Sequence, residues 1–150
     1  MKKVIFILSS IILILSLTSC KTTFDGYSYN IDDARKQEAS YYEKYDYIFT
    51  VEDDGFFVDF LICGRQLRIV KFDTKKQSNT TLYQIKSKST FLIAEALSCS
   101  EAEDAWTKTG NFPFQVEWLI TEKDIESGKG FEFTYNNTEC LLQYSILPNG

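Results

Sequence analysis

The sequence contains no histidine. That removes the commonest general base, metal ligand and pH-dependent switch at once. It also leaves a serine or cysteine nucleophile without its usual activating partner, and no GxSxG pattern occurs. Proline (2) and glycine (7) are too few for a collagen-like or linker-like chain. No pair of closely spaced cysteines exists from which a zinc site would be built. Gly128-Lys129-Gly130 lacks the rest of a phosphate-cradling loop, so it reads as a turn, and no cofactor is expected.

What is present is aromatic and β-forming. Phenylalanine (12) and tyrosine (9) dominate the 15% aromatic content, which favours strands. With 44% hydrophobic and 25% charged residues in 150, the chain suits one folded domain.

The N-terminus has its own character. Lys2 and Lys3 precede an uncharged run from Val4 to Leu17 (VIFILSSIILILSL). A spanning helix needs about 20 apolar residues, so this run is short and suits a signal-peptide core. It ends in Leu17-Thr18-Ser19-Cys20, which resembles the lipobox of bacterial lipoproteins: an aliphatic residue, two small ones and a cysteine. The resemblance covers residues 1–20 only. It implies cleavage between Ser19 and Cys20, a diacylglyceryl group on the Cys20 sulfur, and palmitate-type acylation that holds the chain to a membrane outside the cytoplasm. Lys21 does not resemble the aspartate that retains such proteins at the inner membrane, which favours an outer membrane where a cell has one. The expected organisation is a signal peptide (1–19), a lipidated tether (20–30) and a single β-rich domain (31–150).

Beyond residue 19 the chain carries 14 basic and 21 acidic side chains, a net of −7, which argues against nucleic acid as a partner. The charge is uneven. Arg65, Arg68, Lys71, Lys75, Lys76, Lys86 and Lys88 fall in residues 64–90 with Asp73 as the sole acid. Such a candidate basic patch suits anionic headgroups or an acidic polymer. The plainer reading is the wet face of a sheet.

Of the cysteines at 20, 63, 99 and 140, three remain if Cys20 is acylated. An exported location permits disulfides, and Cys63 with Cys140 is the expected pair because both sit at strand ends.

Asn30 with Asp32 and Asp33 predicts a short helix over 31–42. From Tyr45 the period becomes two. Strands are expected over 45–52, 56–62, 67–72, 81–86, 90–97, 112–121, 131–136 and 139–147, although Ala94, Glu95, Ala96 and Leu97 also suit a helix. Asp53-Asp54-Gly55 and Asn136-Asn137 mark hairpin turns. Residues 75–80 read as a polar loop, and Ser87-Lys88-Ser89 as a break. Ser100 with Glu103 has capping-box spacing, predicting a helix to residue 108 with Trp106 inward. The fold expected is mainly β: a single antiparallel sandwich or small barrel of about eight strands with one or two short helices.

Two functional classes follow. The first is a non-catalytic envelope lipoprotein presenting a sheet face or loops to an envelope protein or polysaccharide. Tyr27, Tyr29, Tyr41 and Tyr42 could join that contact, but the favoured reading is that they pack the N-terminal segment onto the sheet. A narrower version is inhibition of a wall-degrading enzyme. Phe60 to Phe72, with Cys63-Gly64, and Trp106-Thr107-Lys108 look like parts of the small lysozyme-inhibitor lipoproteins, whose domain is an eight-stranded barrel. The Ser-Gly-x-x-Tyr loop of that family is absent, so no functional residue carries over. The second class is a hydrolase using carboxylates alone. Separately, Glu52 with Asp53-Asp54, and Glu122, Asp124 and Glu126, could each collect a cation, but the first reads as a hairpin turn and the second as a solvated loop.

Overall fold

The computed structural model describes residues 23–98, 106–122 and 130–148. Ten strands form two antiparallel sheets. The larger holds β1 (Thr23–Phe24), β2 (Tyr27–Ser28), β3 (Tyr47–Asp53), β4 (Phe56–Cys63), β5 (Gln66–Gln77) and β6 (Thr80–Leu92). Their spatial order is β1-β2-β6-β5-β4-β3. The smaller sheet holds β7 (Thr107–Lys108), β8 (Gln115–Glu122), β9 (Gly130–Tyr135) and β10 (Thr138–Leu147), in the order β7-β8-β10-β9. Three short helices, α1 (Ile31–Gln37), α2 (Ala39–Tyr42) and α3 (Ile93–Ser98), complete the described elements.

The two sheets bury a shared core. Val58, Phe60 and Ile62 of β4 and Leu67 and Ile69 of β5 meet Val116, Trp118 and Ile120 of β8 and Cys140 and Leu142 of β10. These are the alternate residues that a period of two sends to one face. The other face of the large sheet is covered as well. Phe57, Leu61 and Cys63 of β4, with Val70 and Phe72 of β5, pack against Ala34 and, in part, Ile31, Tyr41 and Tyr42 of α1 and α2. Strand β4 is therefore buried on both faces, which explains its nearly unbroken apolar run FFVDFLIC.

Among the described residues no hydrogen-bonded pairing joins the two sheets, so they form a sandwich rather than a closed barrel. Edge strands β3 and β9 face each other across a layer of rings instead. Phe49 and Phe131 stack at 4.4 Å and 8°, and Tyr47 meets Phe133 edge-on at 6.4 Å. Phe131 also stacks on Tyr144. Rings at these distances fill the gap that backbone pairing would otherwise close.

Local expectations fare unevenly. Asn30 caps α1 by accepting a hydrogen bond from the Asp33 amide at 2.8 Å, with Asp32 and Asp33 in the first turn. The Asp54-Gly55 and Asn136-Asn137 turns adopt positive φ, as their hairpins require. Several segments differ. Residues 23–28, assigned to the tether, pair as β1 and β2 and join the sheet through Ser28 opposite Tyr83. Residues 75–77 and 80 continue strands instead of forming a loop. Ser87-Lys88-Ser89 is not a break. Lys71 pairs Ser87 while Phe72 pairs Ile85, so Lys86 is the extra residue of a bulge. A bulge shifts the in-and-out phase by one, which mimics a broken strand in the sequence pattern. The expected helix over 101–108 lies partly outside the described residues. Within them Thr107–Lys108 is a strand, and Trp106 is 41% exposed instead of inward. Phe112, expected in line with Phe114 and Val116, precedes β8 and is 63% exposed.

Candidate functional site

The helix-covered face of the large sheet holds the densest polar network. Asp59 sits on β4 between Phe57 and Leu61 and is fully buried. A carboxylate there needs several donors to compensate for lost water. Arg35 of α1 supplies two, Nε at 2.8 Å and Nη2 at 2.7 Å. Tyr42 of α2 donates its hydroxyl at 2.6 Å, and Thr50 of β3 at 2.7 Å. Arg35 also reaches Asp32 at 2.8 Å. Burial works against the Arg35 charge, but the hydrogen bonds and charge of Asp59 overcome it and raise its pKa. Burial, reinforced by the Asp59 charge, holds the Tyr42 hydroxyl in its neutral form.

Beside this network lies an open depression of about 450 Å³, lined by Asp32, Arg35, Lys36, Tyr42, Tyr45 and Ile48 among others. Tyr45 is 43% exposed there. Lys36 pairs with Asp33 at 2.8 Å. Chemically the depression offers a tyrosine face and a rim of paired charges, which suits contact more than proton transfer.

The basic residues of 64–90 are not all on a wet face. Arg65, Lys75, Lys76, Lys86 and Lys88 are exposed, Arg68 is partly covered and Lys71 is buried. Tyrosines of the N-terminal segment engage three of them. The Arg68 guanidinium lies 5.1 Å from the Tyr41 ring centre and donates to the Tyr41 carbonyl at 2.8 Å. Lys88 lies 5.6 Å from the same ring and pairs with Glu38 at 2.7 Å. Lys86 lies 5.7 Å from the Tyr27 ring, whose hydroxyl donates to Asp73 at 2.5 Å. Tyr27, Tyr41 and Tyr42 thus pack onto the sheet, while Tyr29 remains 44% exposed.

Lys71 is a correction to the wet-face reading. On β5 it follows Leu67 and Ile69 onto the inward face, and it is 1% exposed. Its ammonium donates to the Phe114 carbonyl at 2.8 Å, to Thr109 Oγ1 at 3.3 Å and to the Gly110 carbonyl. Three acceptors for three protons make a clamp on the β7–β8 connection. Burial pushes its pKa down to about 8.

The expected Cys63–Cys140 disulfide is not formed; both thiols are free and buried. The reason is the face each occupies. Cys63 packs under the helices with Leu61 and Ala34, whereas Cys140 points into the sandwich core with Leu142. The body of the large sheet separates the two faces. Burial raises the pKa of both thiols. Ser19, Cys20 and Cys99 lie outside the described residues.

Of the acidic groupings, Glu52-Asp53-Asp54 forms the end of β3 and its turn, while Asp124 and Glu126 lie outside the described residues. Among the described residues no three acids or cysteines converge on a metal-sized site. The Asp59 cluster escaped the sequence reading. Its signal was there: one carboxylate in the middle of FFVDFLIC demands a buried cation nearby.

Among the described residues no helix is long and apolar enough to cross a membrane. Compared with protein-family models, curated proteins and solved structures, the chain matches none.

Proposed function

We propose that this protein is a membrane-anchored lipoprotein of the cell envelope, with a non-catalytic β-sandwich that binds or supports an envelope protein or polysaccharide. The observation that carries this reading is the run Val4 to Leu17 ending in Leu17-Thr18-Ser19-Cys20. Two acyl chains hold a protein to a bilayer stably, where one holds it marginally. The chemistry of the folded part agrees with binding. Its buried carboxylate, Asp59, is engaged by Arg35, Tyr42 and Thr50, and the neighbouring depression is broad and open. Binding at such a surface rests on tyrosine area and paired charge.

The test is expression of the full chain and of Cys20→Ala, followed by fractionation and by mass analysis of the N-terminal peptide. The wild type is expected in the membrane fraction with an acylated Cys20 as its first residue, and Cys20→Ala outside it. A retained Met1, or equal partitioning of the two, overturns the reading.

A further inference from the structure

We propose that the outer part of the β5–β6 hairpin rests on the bilayer, with Lys75 and Lys76 against anionic phospholipid headgroups. The proposal builds on the reading that Cys20 is acylated, and adds which face of the body meets the membrane.

Thr23, three residues after Cys20, is held in the sheet by its pairing with Ser28. Three residues of any conformation span at most about 10 Å, so the membrane surface lies within about that distance of Thr23. The sheet then carries the position sideways. Thr23 pairs Ser28, Ser28 pairs Tyr83, and Tyr83 pairs Thr74, one row across β1, β2, β6 and β5. Three strand spacings make that row about 14 Å long.

Beyond the row β5 and β6 pair with each other, with Leu82 opposite Lys75 fully buried. Among the described residues, pairing of β4 with β5 stops at Phe72 and β2 pairs with β6 at Ser28 alone, whereas β5 and β6 pair on to Gln77 and Thr80. Residues 75–80 are all exposed. Lys75 and Lys76 make no ion pair among the described residues. Residues 74–92 contain no acid. The tip, Gln77-Ser78-Asn79-Thr80, adds neutral hydrogen-bonding groups that suit phosphate oxygens.

Acids do lie close by, and their placement matters. Asp73 accepts from Tyr27, and Asp25 sits in the β1–β2 turn. Glu52, Asp53 and Asp54 belong to the β3–β4 hairpin, whose Gly55 carbonyl accepts from Thr74. That turn therefore ends level with the row, while Lys75 and Lys76 extend past it. Basic residues that lie past the β3–β4 turn can approach an anionic surface at this end of the sheet, and the field of that surface falls off within a Debye length.

The test uses the full acylated chain reconstituted into vesicles of phosphatidylcholine, with or without phosphatidylglycerol. Mass analysis of the Cys20 peptide comes first. Lysines are then modified with a water-soluble amine reagent and read by peptide mass. Lys44 is the internal reference, since it is exposed and precedes β3 at the end of the sheet opposite the β3–β4 turn. Relative to Lys44, modification of Lys75 and Lys76 is expected to fall about five-fold when phosphatidylglycerol is present, the effect of about one headgroup attraction per lysine, and to recover at high salt. Equal modification in the two kinds of vesicle, or protection of Lys44 instead, overturns the orientation while the anchor stands. An unmodified Cys20 removes the anchor and the orientation with it.

Discussion

Lys71 shows how one residue can change sides. In sequence it is one of seven cations in a basic stretch, yet its ammonium is enclosed by Thr109, Gly110 and Phe114. Replacing it with methionine keeps the bulk but removes three hydrogen bonds. Thr109 Oγ1 still accepts from the Val116 amide and the Gly110 carbonyl from Thr109, while the Phe114 carbonyl loses its lysine donor. Lys71→Met is expected to lower stability by about 2 kcal/mol in chemical denaturation. The pH dependence has a defined sign. The folded pKa is depressed, so the unfolded chain binds more protons between about 8 and the ordinary lysine value of 10.5. Wild-type stability should therefore gain a contribution as pH rises through 8, and Lys71→Met should lack it. A second prediction concerns the thiols. Denatured without reductant, the chain should yield Cys63 and Cys140 both alkylated, and both should react slowly when folded, because burial raises their pKa. A peptide linking the two would contradict the structure. A third concerns Asp59. Arg35→Met leaves a fully buried carboxylate with hydroxyl donors alone and should cost about 3 kcal/mol or more, read from the unfolding midpoint.

At the level of elements, most strands were legible, doubly buried β4 (Phe56–Cys63) included, and the misses lie where the pattern is short or interrupted. Gln115–Glu122 alternates over most of its length because its inner residues face the core, whereas Thr138–Leu147 buries Cys140, Leu141 and Leu142 in a row. Strand β4 does not alternate, because helices cover its second face. Strand β6 looked like two pieces, because the bulge at Lys86 reverses its phase. Strands β1 and β7 are two residues each, too short for any period to register. Gly130 is a further case. A Cβ there would lie 2.5 Å from the Leu142 carbonyl oxygen, so β9 approaches β10 closely only because this residue has no side chain. Gly130→Ala should push the strands apart and cost about 1–3 kcal/mol, visible as a lower melting temperature and faster amide exchange in Phe131 and Phe133.

For the whole molecule, the choice between sandwich and barrel rested on contacts that no local pattern records. The aromatic layer of Phe49, Phe131, Tyr144 and Phe60 joins the two sheets where β3 and β9 come together. Phe60 is fully buried in it. Phe60→Ala should cost about 3–5 kcal/mol. Because both sheets share that core, tyrosine fluorescence and far-ultraviolet circular dichroism should shift together in one transition. Two separate transitions would mean that the sheets fold independently.

Composition and period alone determined that this chain is mainly β, where most of its strands lie, and that its first twenty residues differ in kind from the rest. These are local properties, because side chains alternate along a strand whatever it packs against. Tertiary structure decided the remainder: which lysine is buried, which face each cysteine takes, that Asp59 is held by Arg35, and that the sheets stay open at their edges. Each of those depends on residues far apart in the chain meeting across a layer, and nothing in the spacing of neighbours specifies that meeting.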